Sequence, residues 1–271
     1  MPYTLTWLFV FDESVVGAAG VGVPGHGPAP DCRSRCDEDH VGVPHATFFH
    51  SRDWAEVWQR YTRGRVEPAA WSLSFSDGLT ALLPASRTRW RGGLTRNYLS
   101  SPTDTYGGWL STDELTAEHC KLLVAHMRTH MPNLSLRINP FDPSMAQVKF
   151  GVVAHDETHA LWIKEDMEVI EKRFSKGHRG AIRVARKSGV TVSLATELEQ
   201  WKAYYSAYVD SLRRWGPRTS SRYTWPLFDD FYRSGSPRIR LWIAERDDEL
   251  LAGALMFLRP VACWLVARGR L

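Results

Sequence analysis

A chain of 271 residues with 44% hydrophobic and 12% aromatic content is no disordered polymer, and it has material for one large or two modest domains. The formal net charge of +4 and a calculated pI near 8.9 are mild, which argues against a general nucleic-acid binder. Four widely separated cysteines, Cys32, Cys36, Cys120 and Cys263, give no disulfide framework and suit a reducing compartment, so a cytoplasmic location is expected.

Residues 1–45 differ from the rest. The apolar run Leu5 to Phe11 is too short to span a bilayer, lacks a basic leader and is closed by Asp12 and Glu13. Gly17 to Pro30 is rich in Gly, Pro and Ala, so a flexible or misassigned segment is expected. Cys32-x3-Cys36-x3-His40 has no matching second pair for a four-ligand zinc site, and no metal is expected.

From Thr47 the pattern becomes that of a folded domain. Ser51 can cap a helix whose Trp54, Val57, Trp58 and Tyr61 recur on one face as core. Trp71, Leu73 and Phe75 alternate as a strand, Asp77-Gly78 marks a hairpin turn, and Leu79 to Ala85 returns, with a third strand near Asn97 to Ser100. The loop Ser101 to Gly108 offers the Tyr106 phenol, and Gly107-Gly108 would let backbone approach a ligand. Thr112 can cap a helix to about Met131 with Leu115, Leu122, Leu123 and Met127 inward; Leu134 to Ile138 is a strand, followed by a short helix near Met145 and a strand near Ala160. His119, His126 and His130 on that helix lack carboxylate or thiolate companions at metal-binding spacing.

The densest charge lies mid-chain. From Glu171 to Lys187 seven Lys/Arg face one acid, a local net of +6. On a helix Arg179, Arg183, Arg186 and Lys187 share one face, opposite Ala181, Val184, Ala185 and Ser188, so one side should pack while the other meets an anion such as a phosphate or carboxylate. Beyond it, Val190 to Leu194 reads as a strand, Glu197 to Arg214 as an aromatic-rich helix, Tyr223 to Tyr232 as a shorter one, and Arg238 to Ala244, Leu250 to Leu258 and Val261 to Ala267 as three strands. Strand, acidic turn and further strands occur twice, around 69–100 and 238–267, which suggests a duplication.

Several pieces, in order, resemble the FemAB-like acyltransferases of the GNAT (acyl-CoA N-acyltransferase) superfamily. They are Phe48-Phe49-x4-Trp54, Ser101-Pro102-x3-Tyr106-Gly107-Gly108, His178-Arg179-x2-Ile182-Arg183-x-Ala185-x-Lys187-x-Gly189-Val190, Tyr204-Tyr205-x2-Tyr208, Arg214-Trp215-Gly216 and Leu251-Ala252-Gly253-Ala254, spread over residues 46 to 267. The resemblance implies an α/β (α+β) chain of tandem GNAT-like domains with mixed central sheets flanked by helices. It divides the chain into a first domain 46–163, a basic connecting helix 164–189, and a second domain 190–271 cut short after its fourth strand. That strand's free edge is expected to lack a partner.

It further implies N-acyl transfer to an amine of a cell-envelope or polysaccharide precursor, with acyl-CoA (acetyl-CoA) or aminoacyl-tRNA as donor and tRNA a partner in the second case. Amide formation of this kind needs a deprotonated amine and a donor for the developing oxyanion, not a covalent nucleophile. Tyr106, Arg179, Arg183 and Tyr223 match positions that hold the anionic acceptor. No catalytic base follows, since His178 beside so many cations could serve binding alone. The alternative is a non-catalytic anion-binding remnant of such an enzyme.

Overall fold

The computed structural model describes residues 8–11, 43–90, 95–131, 133–145, 148, 159–162, 166–216, 219, 221–259 and 262–270. Among them the chain is mixed α and β, in order β1 (Leu8–Phe11), α1 (Arg52–Tyr61), β2 (Val66–Pro68), β3 (Trp71–Ser74), β4 (Thr80–Leu83), β5 (Ser86–Trp90) and β6 (Thr95–Leu99). Next come α2 (Ala117–His130), β7 (Leu134–Ser135), β8 (His159–Trp162), α3 (Met167–Arg173), α4 (Lys176–Lys187) and β9 (Thr191–Leu194). The chain closes with α5 (Leu198–Trp215), α6 (Trp225–Arg233), β10 (Ile239–Arg246), β11 (Glu249–Arg259) and β12 (Ala262–Arg270). It divides into two compact units, Val15–His155, and Met1–Ser14 with Asp156–Leu271.

In the unit 15–155, Ser51 accepts from the Trp54 amide at 3.3 Å and starts α1, whose Trp54, Val57 and Trp58 are buried, Trp54 packing edge-on to Phe48 and Phe49. The four-stranded sheet runs β2-β5-β6-β7, with β6 and β7 parallel, while the hairpin β3–β4 stands as its own two-stranded sheet. Helix α2 lays Cys120, Leu123, Val124 and Met127 against that hairpin in one apolar core with Ala81, Leu83, Tyr98 and Trp109. Two expectations are corrected here. The helix begins after Thr116, not Thr112, because Thr116 and His119 form the reciprocal cap, and Leu122 is exposed. Met145 lies in 3-10 helical backbone, in keeping with the short helix expected there, while Ile138, expected in a strand, makes only an isolated bridge to Gly107.

In the other unit six strands run β8-β1-β12-β11-β10-β9. From β9 to β12 neighbours are antiparallel, and α5 and α6 intervene between β9 and β10. Alternation decides the faces: Ile239, Leu241, Ile243, Leu255 and Phe257 are buried with Trp201, Tyr204 and Tyr208 of α5 and Phe228 and Phe231 of α6. Gly253 is required where the Tyr204 ring lies on β11, since a Cβ there would overlap the ring. The β10–β11 turn puts Asp247 and Asp248 both at positive φ, the backbone of a tight hairpin.

Residues 8–11 of the N-terminal segment form β1, which pairs with β12 and β8, so the β12 edge expected to be free has a partner. The duplication does not extend to sheet pairing: β3–β4 is separate from the sheet of β5 and β6, whereas β10, β11 and β12 are continuous. Residues 12–42, with Cys32, Cys36 and His40, lie outside the described residues. No described helix is long and apolar enough to cross a membrane.

Candidate functional site

The expected basic helix is two helices. Ser175 stops α3 and caps α4, its hydroxyl accepting from the His178 amide at 3.2 Å and meeting His178 Nδ1 at 2.9 Å. The serine hydroxyl holds both the amide and the ring of His178, a local cap that competes with continuation of α3. Two other turns with the Ser/Thr-x-x-His spacing go further and close the full reciprocal box, Thr47 with His50 and Thr116 with His119. The spacing was legible in the sequence, but glutamate or glutamine is the residue ordinarily sought at its fourth position.

Along α4 the four cations of the basic stripe divide into two kinds. Arg179 Nη1 donates to the Lys172 carbonyl at 2.8 Å, and Arg186 Nη2 pairs with Glu171 at 3.2 Å, so both brace α4 to α3. Arg183 and Lys187 have no carboxylate partner among the described residues, and both are exposed. A guanidinium carries five donors, and the single bond of Arg179 leaves most of its fork for a ligand beside Arg183, one turn on. The expected packing face is corrected. No residue of α4 is buried, Val184, Ala181 and Ser188 are exposed, and the half-buried side chains are Ile182 and Ala185.

Tyr223 lies on the α5–α6 connection in the same unit. Tyr208 fixes it, donating its hydroxyl to the Ser221 carbonyl at 2.6 Å and accepting from the Tyr223 amide at 2.9 Å. Arg222 ties the same stretch to the end of α5, donating to the carbonyls of Gly216 at 2.7 Å and Thr219 at 3.2 Å. Neither brace had been expected, because an aromatic stripe on a helix reads as core, and Tyr208 is core as well. Burial pushes the Tyr204 phenol well above its ordinary range, so this neighbour stays a neutral packing group.

Tyr106 belongs to the other unit. It is buried, with Phe141 edge-on at 6.4 Å and the Arg137 guanidinium 5.9 Å from its ring centre. Its two glycines serve the protein's own backbone: a Cβ on Gly107 would overlap Ser100, and one on Gly108 would meet Met145. Gly107 donates to the Arg137 carbonyl at 2.9 Å and accepts from Asn139 at 3.2 Å.

The same unit holds a buried polar cluster. Asp142 Oδ1 accepts from the Ser144 amide and hydroxyl at 2.8 and 2.6 Å, Trp109 Nε1 donates to Ser144 Oγ at 2.8 Å, and His45 Nε2 stands 3.6 Å from Asp142 Oδ2. Burial raises the pKa of the adjacent Cys120 thiol, which suits packing better than nucleophilic attack. Among the described residues no group of three or more His, Cys, Asp or Glu converges on a possible metal position.

No known protein-family profile matches the chain, and no curated protein is significantly similar to it.

Proposed function

We propose that the chain is an N-acyltransferase that joins an acyl or aminoacyl group to an amine of an anionic acceptor, a cell-envelope or polysaccharide precursor. The acceptor's anionic group lies along α4, held by Arg179 and Arg183, with Tyr223 of the same unit as a further contact. The observation that carries this reading is Arg183 itself. It is an exposed arginine without a carboxylate partner among the described residues, one turn from an arginine whose fork is mostly unspent. Phosphate or carboxylate fits such a pair in bidentate fashion.

The mixed six-stranded sheet with α5 and α6 packed on it supports the GNAT-like part of the reading, because a mixed sheet flanked by helices is what the sequence resemblance implies. The donor is acyl-CoA or aminoacyl-tRNA. The test is thermal unfolding of the purified chain with and without acetyl-CoA. Ligand at about 100 times its dissociation constant stabilises by about 2.7 kcal/mol and raises the midpoint. No shift with acetyl-CoA or with aminoacyl-tRNA would remove the transferase reading and leave an anion-binding module.

A further inference from the structure

We infer that residues 166–194, with Trp242 beside them, form a docking surface for an anionic lipid bilayer. The inference stands whether or not the chain transfers acyl groups. Seven Lys/Arg face three acids over this segment, a net of +4 that equals the formal charge of the whole chain. A helix of a folded domain ordinarily buries an apolar stripe, whereas no residue of α4 is fully buried and only Ile182 and Ala185 are half-buried side chains.

Large apolar side chains face solvent along this segment, and Val184, although opposite Arg186 on α4, lies only about 60° round the helix from Lys187. Met167 is 60% exposed, Val184 65% and Val192 65%. Strand β9 follows α4 after three residues, and its register pairs Leu194 with Trp242 and Val192 with Ala244. Val192 and the 39% exposed Trp242 therefore share one sheet face. The bonds from Arg179 to Lys172 and from Arg186 to Glu171 hold α3 and α4 together as one basic element.

Each feature narrows the partner. A nucleic acid would take the cations but gain little from exposed methionine and valine. An apolar protein groove would take the valines but leave Arg183 and Lys187, which have no carboxylate partner among the described residues, to be desolvated. An anionic bilayer meets both, with lipid phosphates against Arg183, Lys187 and Lys176 and the acyl boundary against Met167, Val184 and Val192. Tryptophan favours the same boundary, and long basic stems reach past buried apolar neighbours to the headgroups.

The test is co-sedimentation of the full chain with vesicles of phosphatidylcholine alone or mixed with phosphatidylglycerol. Binding is expected to the mixed vesicles only, and to fall as salt shortens the screening length from about 10 Å at 0.1 M to about 3 Å at 1 M. Replacing Arg183 and Lys187 by Gln should weaken it about fivefold per charge removed. Val184→Gln, which is polar but uncharged, should cut vesicle binding severalfold while leaving binding of inorganic phosphate at wild-type strength, which separates the apolar contact with lipid from anion binding by Arg183. Equal sedimentation with neutral and anionic vesicles, or wild-type sedimentation of Val184→Gln, would overturn the inference. So would capture by tRNA with no vesicle binding, or a Val184-dependent dimer without vesicle binding.

Discussion

The link between hairpin β3–β4 and helix α2 rests on a buried polar contact whose removal has a calculable effect. His119 Nδ1 accepts from the Thr116 amide at 3.2 Å, which places the ring hydrogen on Nε2, and Nε2 is 2.8 Å from Asp77 Oδ2. Both side chains are almost wholly enclosed. Asp77 Oδ1 also accepts from Leu79 at 3.2 Å and so shapes the hairpin turn. A hydrogen bond to a charged group contributes about 1.5–3 kcal/mol, and a stranded buried donor costs about 1–3 kcal/mol. Asp77→Ala should therefore destabilise this unit by about 2–4 kcal/mol. Asp77→Asn keeps an acceptor oxygen and should cost about 1 kcal/mol. The assay is urea unfolding read by hydrogen exchange of peptides from α2. With a slope of about 1–3 kcal/mol per M, the Ala variant should move the midpoint down by roughly 1–2 M. A shift for Asp77→Ala no larger than that for Asp77→Asn would refute the reasoning.

Further outcomes follow from other contacts. Gly253→Ala places a Cβ against the buried Tyr204 ring and should cost about 1–3 kcal/mol by denaturant unfolding. Gly180→Ala, on α4 with nothing within 4 Å, should stabilise by about 1 kcal/mol; a loss there would show that the glycine is needed. Tyr208→Phe removes the two hydroxyl bonds to Ser221 and Tyr223 and should cost about 1–2 kcal/mol and speed exchange of the Tyr223 amide, unchanged exchange being the contrary result. Burial, and then the neighbouring His130, lowers the His126 pKa below 6.5, so the unfolded chain takes up that proton first and stability is lost as pH falls below 6.5 through the folded value. His126→Gln should show a smaller drop in melting temperature between pH 7.5 and 5.5 than the wild type, and an equal drop would count against the assignment.

Much of the fold could be read from the sequence, since local alternation and caps dictate it. Ser51 and the Trp54–Trp58 stripe gave α1, and alternation from Val190 gave β9 and the long meander. What escaped was non-local or compositionally plain. The strand Ser86–Trp90 carries two arginines and a serine, and no period announces it; pairing with β2 and β6 makes it a strand. β1 joins a sheet whose other members lie more than 140 residues away, beyond the reach of any local pattern. The start of α2 was misplaced because Thr112 and Thr116 are both plausible caps, and only the reciprocal bond of His119 separates them.

The candidate site shows the same division. That Arg179, Arg183, Arg186 and Lys187 share a face follows from helical spacing alone. That Arg179 and Arg186 are tied to α3 while Arg183 is not depends on the break at Ser175, where a cap overrode the longer helix. The Tyr208 brace behind Tyr223 was hidden because its ring belongs to the core stripe and only its hydroxyl is committed to the loop.

The central claim, acyl transfer to an acceptor held by the basic face of α4, is tested most directly by following label from radioactive acetyl-CoA, and from aminoacyl-tRNA in parallel, into amino-sugar phosphates. The account predicts an amide-linked product, and a fall in kcat/KM of about tenfold or more in Arg183→Ala, the loss of one charge-assisted bond. Transfer undiminished in Arg183→Ala, or no label transferred from either donor, would contradict it.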